Sequence, residues 1–174
     1  SYGGMIGLAL AVLAPERIEK LLVISACHRA SAMARAWRSI QRDTVELSLQ
    51  QGDGRTGPDL ARRLAMTTYR TPIELESRFY DPEPGCRDAD GVCAYLEARG
   101  REFADRITPQ RFLALSRSMD EHCIDPARID CPVTYLAVIE DQLVPADQIA
   151  EAARATPLGT LERIHSLYGH DAFL

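Results

Sequence analysis

No C-x-x-C pair occurs in the chain, and its five cysteines (Cys27, Cys86, Cys93, Cys123 and Cys131) are odd in number. That pattern argues against a zinc site and a disulfide framework, and for the reduced thiols of a cytosol. There is no run of 18 apolar residues to span a bilayer and no signal-peptide pattern at the first residue. Nor is there a basic stripe: 20 Lys+Arg lie scattered among 25 Asp+Glu for a net charge of −5, which excludes an electrostatic footprint for nucleic acid or an anionic membrane. Internal repeats and low-complexity tracts are also missing. What is present is 174 residues, 46% of them hydrophobic, enough for one domain with a substantial core.

Residues 4–14 read as an almost wholly apolar helix of the kind buried behind a sheet, ended by Pro15 and the charged Glu16-Arg17. Residues 18–25 then form a short apolar strand of the continuous type found in parallel sheets. A long helix over 30–50, holding the only tryptophan, Trp37, is followed by a Gly-rich loop at 52–58. Helical spacing returns over 59–66, 72–79, 92–103 and 108–119, with Thr71-Pro72 supplying the N-cap and first position of the second of these. A polar loop covers 80–91. Since no strand interrupts this stretch, it reads as an all-helical insertion. Sheet signals resume at 132–139, followed by a helix over 146–155 and a strand over 161–166.

Three residues stand where chemistry is done in such sheets. Ser1-Tyr2-Gly3-Gly4 before an apolar helix looks like the second half of a G-x-S-x-G elbow, in which a sharp turn exposes the serine and a side chain at Gly3 would collide with the turn. Asp141 follows one strand and His170 the next, so both project from the carboxyl edge of the sheet, where ligands meet it. A serine hydroxyl needs an imidazole to take its proton, and the imidazole needs a carboxylate to fix its tautomer. The order Ser1, Asp141, His170 is the one expected of such a relay, and the Tyr2 peptide N–H at the head of the helix would supply an oxyanion-hole donor. Competing readings are Ser1 as a plain N-cap or an N-terminal nucleophile, Glu140 as the acid, and His28, His122 or His165 as the base.

Ser1-Tyr2-Gly3-Gly4-Met5, Thr68-Tyr69-Arg70-Thr71-Pro72, Tyr95-Leu96 with Gly100 and Phe103, the run from Leu115 to His122, Asp141-Gln142-Leu143-Val144-Pro145 and Tyr168-Gly169-His170-Asp171-Ala172-Phe173-Leu174 occur in one order along the whole chain. Together they resemble the homoserine O-acetyltransferase (MetX-type) family of α/β-hydrolase-fold acyltransferases. Ile24-Ser25-Ala26-Cys27-His28-Arg29 is most similar to the branch that transfers succinyl to homoserine or serine. The resemblance implies an α/β fold: an α/β-hydrolase fragment, the C-terminal part of a mostly parallel sheet, with core at 1–34 and 126–174 and a helical lid at 35–125. It implies a ping-pong reaction with acyl-CoA (succinyl-CoA or acetyl-CoA) as co-substrate, no permanently bound cofactor and no metal. Arg70 would bind the carboxylate of L-homoserine or L-serine, and Asp171 its ammonium.

The family further implies a homodimer through the lid, a cytoplasmic setting, and a place in methionine or cysteine synthesis. Members carry a segment before the elbow with the first strands and the second oxyanion donor, and a short helix after the Gly-His-Asp loop. Against that pattern the chain reads as a fragment, inactive and poorly stable alone because a sheet edge and apolar faces stay uncovered. Besides acyl transfer, two other functions remain open on the residues: a serine esterase, which uses the same triad with water, and a dimerising protein–protein module.

Overall fold

In the computed structural model residues 2–79 and 91–173 are described, and at their centre three parallel strands lie in the order β1 (Leu21–Ile24), β2 (Val133–Val138), β3 (Gly159–Ile164). Leu21 is in register with Val133, and Val133 in turn with Gly159. Helix α1 (Tyr2–Leu13) leads into β1, and α7 (Ala146–Ala155) connects β2 to β3. Between β1 and β2 the chain makes only helices: α2 (Ala32–Gln50), α3 (Thr56–Tyr69), α4 (Pro72–Phe79), α5 (Val92–Ala104) and α6 (Pro109–Glu121) among the described residues. All three strands therefore present their carboxyl ends to one edge, beside the helical layer.

The core sits where α1 and α7 cover the sheet. Leu8 and Ala11 of α1 meet Val23 of β1, Val133, Tyr135 and Ala137 of β2, and Ile149 and Ala152 of α7, all buried. Each side chain the size of Leu8 contributes about 2 kcal/mol by leaving water. The Tyr135 hydroxyl, buried with them, is satisfied by Thr156 Oγ1 at 2.9 Å. α1 is buried on one face only: Ile6, Leu10 and Leu13 on the others are exposed, so its uniformly apolar sequence overstates how far the described chain encloses it.

The close approach of α1 to the sheet is made at Gly4, where a Cβ would stand 2.6 Å from that of Ala26. At Gly3, the position singled out by the elbow reading, a Cβ meets nothing within 4 Å among the described residues, which do not include the turn at Ser1 that the reading concerns. The loop read over 52–58 is also shorter than expected. The Asp53 carboxylate accepts from the amides of Arg55 (2.7 Å) and Thr56 (3.1 Å), a cap that starts α3 before Pro58. Thr71 caps α4 through Glu74 N–H at 3.1 Å. Most of the loop read at 80–91 lies outside the described residues.

Candidate active site

The turn after β2 folds around Asp141. Its Oδ1 accepts from the amides of Leu143 (2.8 Å) and Val144 (2.9 Å), so the side chain is fixed by the backbone it interrupts. The other oxygen, Oδ2, is thereby aimed at His170 Nδ1, 2.7 Å away. Both side chains are buried, at 0% and 5% exposure. A carboxylate can only accept, so the neutral imidazole that fits this contact carries its proton on Nδ1 and its lone pair on Nε2.

The loop that brings His170 back is held by the helical layer. Gly169 takes φ +56°, open to glycine at little cost, and a Cβ there would press to 3.0 Å of Tyr69 O. Thr71 Oγ1 donates to Leu167 O at 2.6 Å, and the Tyr69 ring lies 5.5 Å from that of His170. Burial pushes the Tyr69 phenol above its ordinary pKa, so it stays a neutral wall of the site.

Asp171 follows directly, and its Oδ2 is 3.3 Å from Arg70 Nε. This is a charge contact rather than an aligned hydrogen bond, for the buried Nε finds no acceptor among the described residues. The Arg70 guanidinium also lies over the Tyr168 ring, 5.2 Å from its centroid. The structure thus brings Asp141 to His170 and Arg70 to Asp171. Tyr2 opens α1, where the first amides of a helix have no partner within it, and its hydroxyl meets Ser118 Oγ at 3.0 Å. Ser1 lies outside the described residues.

The competing residues are placed elsewhere. Glu140 turns outward, where one oxygen meets His165 Nδ1 at 2.7 Å and the other accepts Ser166 N–H at 2.9 Å. The Ser166 amide, and then His165, hold its carboxyl below the usual range. His28 and His122 sit together beside Cys27, whose sulfur and carbonyl they meet at 3.2 Å, and burial lowers the pKa of both.

Two features were missed in the sequence. Ser25 directly follows β1 at φ +45° with a buried hydroxyl that finds no partner among the described residues, a strained conformation costing about 1–3 kcal/mol. A cavity of about 280 Å³ lies between α1 and the helical layer, lined by Tyr2, Tyr69 and Val144 from the site and by Arg38 and Arg62 from α2 and α3. Neither leaves a sequence signal, because both depend on elements distant along the chain.

No protein-family model matches the chain. Homoserine O-succinyltransferase of Xanthomonas campestris pv. campestris is 40% identical to it over 177 residues, which take in 100% of the chain and 48% of that protein. The crystal structure of homoserine O-acetyltransferase from Staphylococcus aureus superposes with a TM-score of 0.81 at 26% identity, covering 99% of the chain and 52% of that one. The L374D mutant of esterase E22 gives 0.84 at 16% identity over 97% of the chain and 54% of its own, a likeness of fold alone. The chain spans about half the length of the curated relatives it matches. With its motifs in family order from end to end and its parallel sheet superposing on theirs, the chain belongs to the homoserine O-acyltransferase family of the α/β-hydrolase fold.

Proposed function

We propose that the chain supplies the acid, the histidine and the acceptor-binding charges of an acyl-CoA-dependent O-acyltransferase, which moves a succinyl or acetyl group to the hydroxyl of L-homoserine or L-serine. The observation that carries this reading is one turn, Gly169–Asp171, in which His170 is bonded to Asp141 while the next residue faces Arg70. A relay and a pair of opposite charges stand side by side. An amino acid presents the complementary pair, its carboxylate to Arg70 and its ammonium to Asp171.

In the first half-reaction Ser1 Oγ attacks the thioester carbonyl and its proton passes to His170 Nε2, while Asp141 stabilises the imidazolium. The Tyr2 amide donates to the oxyanion. The C–S bond then breaks, the thiolate takes the proton from His170, and an acyl-serine is left. In the second half the amino acid hydroxyl gives its proton to His170 and attacks the ester carbonyl. The bond to Ser1 Oγ breaks, and that oxygen recovers a proton from the imidazolium.

In this reading the helices between β1 and β2 form the lid over the core and also the contact of a homodimer. Met33, Ile40 and Leu47, seven residues apart on α2 and each more than half exposed, support that contact. The free cysteines Cys27, Cys93, Cys123 and Cys131 suit a reducing cytoplasm, the setting of methionine and cysteine synthesis.

A serine esterase is the second reading, favoured by the fold shared with esterase E22. The test supplies the full product of the gene with acetyl-CoA or succinyl-CoA, and with homoserine, serine or neither, and follows thiol release. Turnover that requires the amino acid supports acyl transfer. Sustained release without one makes water the acceptor and replaces it with the esterase.

A further inference from the structure

The chain is net acidic, yet the cavity beside the Asp141–His170 pair is walled by Arg29, Arg38 and Arg62 and, among the described residues, by no carboxylate. These cations differ in how far they are neutralised. Arg29 has an exposed partner in Glu151 at 3.5 Å. Arg38 holds Asp120 at 2.6 Å, but Arg42 takes the other oxygen of the same carboxylate at 2.6 Å, so one negative charge serves two guanidinium groups. Arg38 is buried, and its Nη2 has no acceptor among the described residues.

Arg62 lies against two rings, 5.2 Å from the centroid of Tyr69 and 5.3 Å from that of Phe103. No carboxylate among the described residues comes within ion-pair distance of it; its neighbour Arg63 takes Asp59 and Glu97 instead. Surplus positive charge in an otherwise apolar pocket is costly unless an anion shares it. The Tyr69 ring that packs on Arg62 also packs on His170, so this charge stands one aromatic ring away from the imidazole.

We infer that this cavity receives the far end of the acyl group, and that Arg62, supported by Arg38, selects a dicarboxylic acyl chain by binding its free carboxylate. The inference rests on the acyltransferase reading and narrows its donor to one that ends in an anion. An acetyl group has no charge to offer Arg62, whereas the distal carboxylate of a succinyl group supplies the anion that Arg62 lacks among the described residues, in a charge-assisted bond. Uncharged donors and acceptors on the same wall, Gln41 and Ser116, complete the polar end of the pocket.

The test compares succinyl-CoA with acetyl-CoA in the full gene product, before and after Arg62→Gln. Both donors carry the same CoA phosphates, so the ratio of their kcat/KM values isolates the acyl end. Succinyl-CoA should lose about 10- to 100-fold more than acetyl-CoA, the worth of a hydrogen bond to a charged group. Arg62→Lys, which keeps the charge, should restore part of the preference. Equal losses for both donors would assign Arg62 to the CoA phosphates or to folding and overturn the inference. A separate arm does not depend on turnover: free succinate should raise the melting temperature of the wild type more than acetate does, and Arg62→Gln should remove the difference. If neither thioester is consumed but succinate still binds through Arg62, the acyltransferase reading fails and the anion pocket stands. No preference for succinate in either arm overturns the pocket.

Discussion

Two carboxylates adjacent in sequence each hold a histidine at 2.7 Å: Glu140 with His165 and Asp141 with His170. The first pair is wet, with 81% of His165 and 32% of Glu140 exposed, while in the second these values fall to 5% and 0%. In water such a pair is screened and contributes about 0–1 kcal/mol. Away from water the same contact fixes a tautomer, holds the ring, and cannot be broken without stranding a charge. The chemical groups and the distance are therefore common to both pairs, and burial with three acceptor bonds on Asp141 is what sets one apart.

Breaking each pair in turn separates them most. Asp141→Asn should lower acyl transfer by about 10⁴-fold through the wrong tautomer of His170, while Glu140→Gln should leave the rate within a few-fold; thiol-release kinetics measure both. Stability should divide the same way. In urea titrations Asp141→Ala is expected to cost about 3–5 kcal/mol by leaving two amides and a buried imidazole without their acceptor.

A smaller and more selective effect is expected beside the pair. Arg70→Ala should spare the first half-reaction and raise the KM for the amino acid by about 10- to 100-fold, as read by comparing a single-turnover burst with steady-state rates. Equal damage to both half-reactions would count against a carboxylate-binding role.

Acid provides a further test, at the two desolvated histidines. The pKa of His28 and of His122 is depressed below 6.5 chiefly by burial, so the unfolded chain binds more protons than the folded chain as pH falls from about 6.5. Their contribution is whole above that value and is lost as pH drops toward their folded values. Replacing both by Gln should flatten this fall in urea midpoint. Smallest of all is Glu140→Gln, expected to change stability by about 0–1 kcal/mol.

Much of the site was legible because the motifs are local and the sheet does the rest. Asp141 and His170 each follow a strand, and parallel strands deliver their carboxyl ends to one edge whatever lies between. Thr71-Pro72 marked the start of α4 for an equally local reason. What stayed hidden depends on partners far along the chain. The tight contact at Gly4 requires Ala26 across the helix–sheet interface, the Asp53 cap shortens a loop whose composition reads as longer, and the shared Asp120 leaves Arg38 unsatisfied only because α2 meets α6. Apolar composition likewise showed that α1 could be buried on every side, not that it is.

The most direct trial is to mix the full gene product with succinyl-CoA in the absence of any amino acid, quench it, and map the modified peptide by mass spectrometry. An acyl group on Ser1, formed by the wild type, slowed by Asp141→Asn and abolished by His170→Ala, is the predicted result. Acylation at another residue, or at Ser1 with a rate that ignores both substitutions, would contradict the role given to the buried pair.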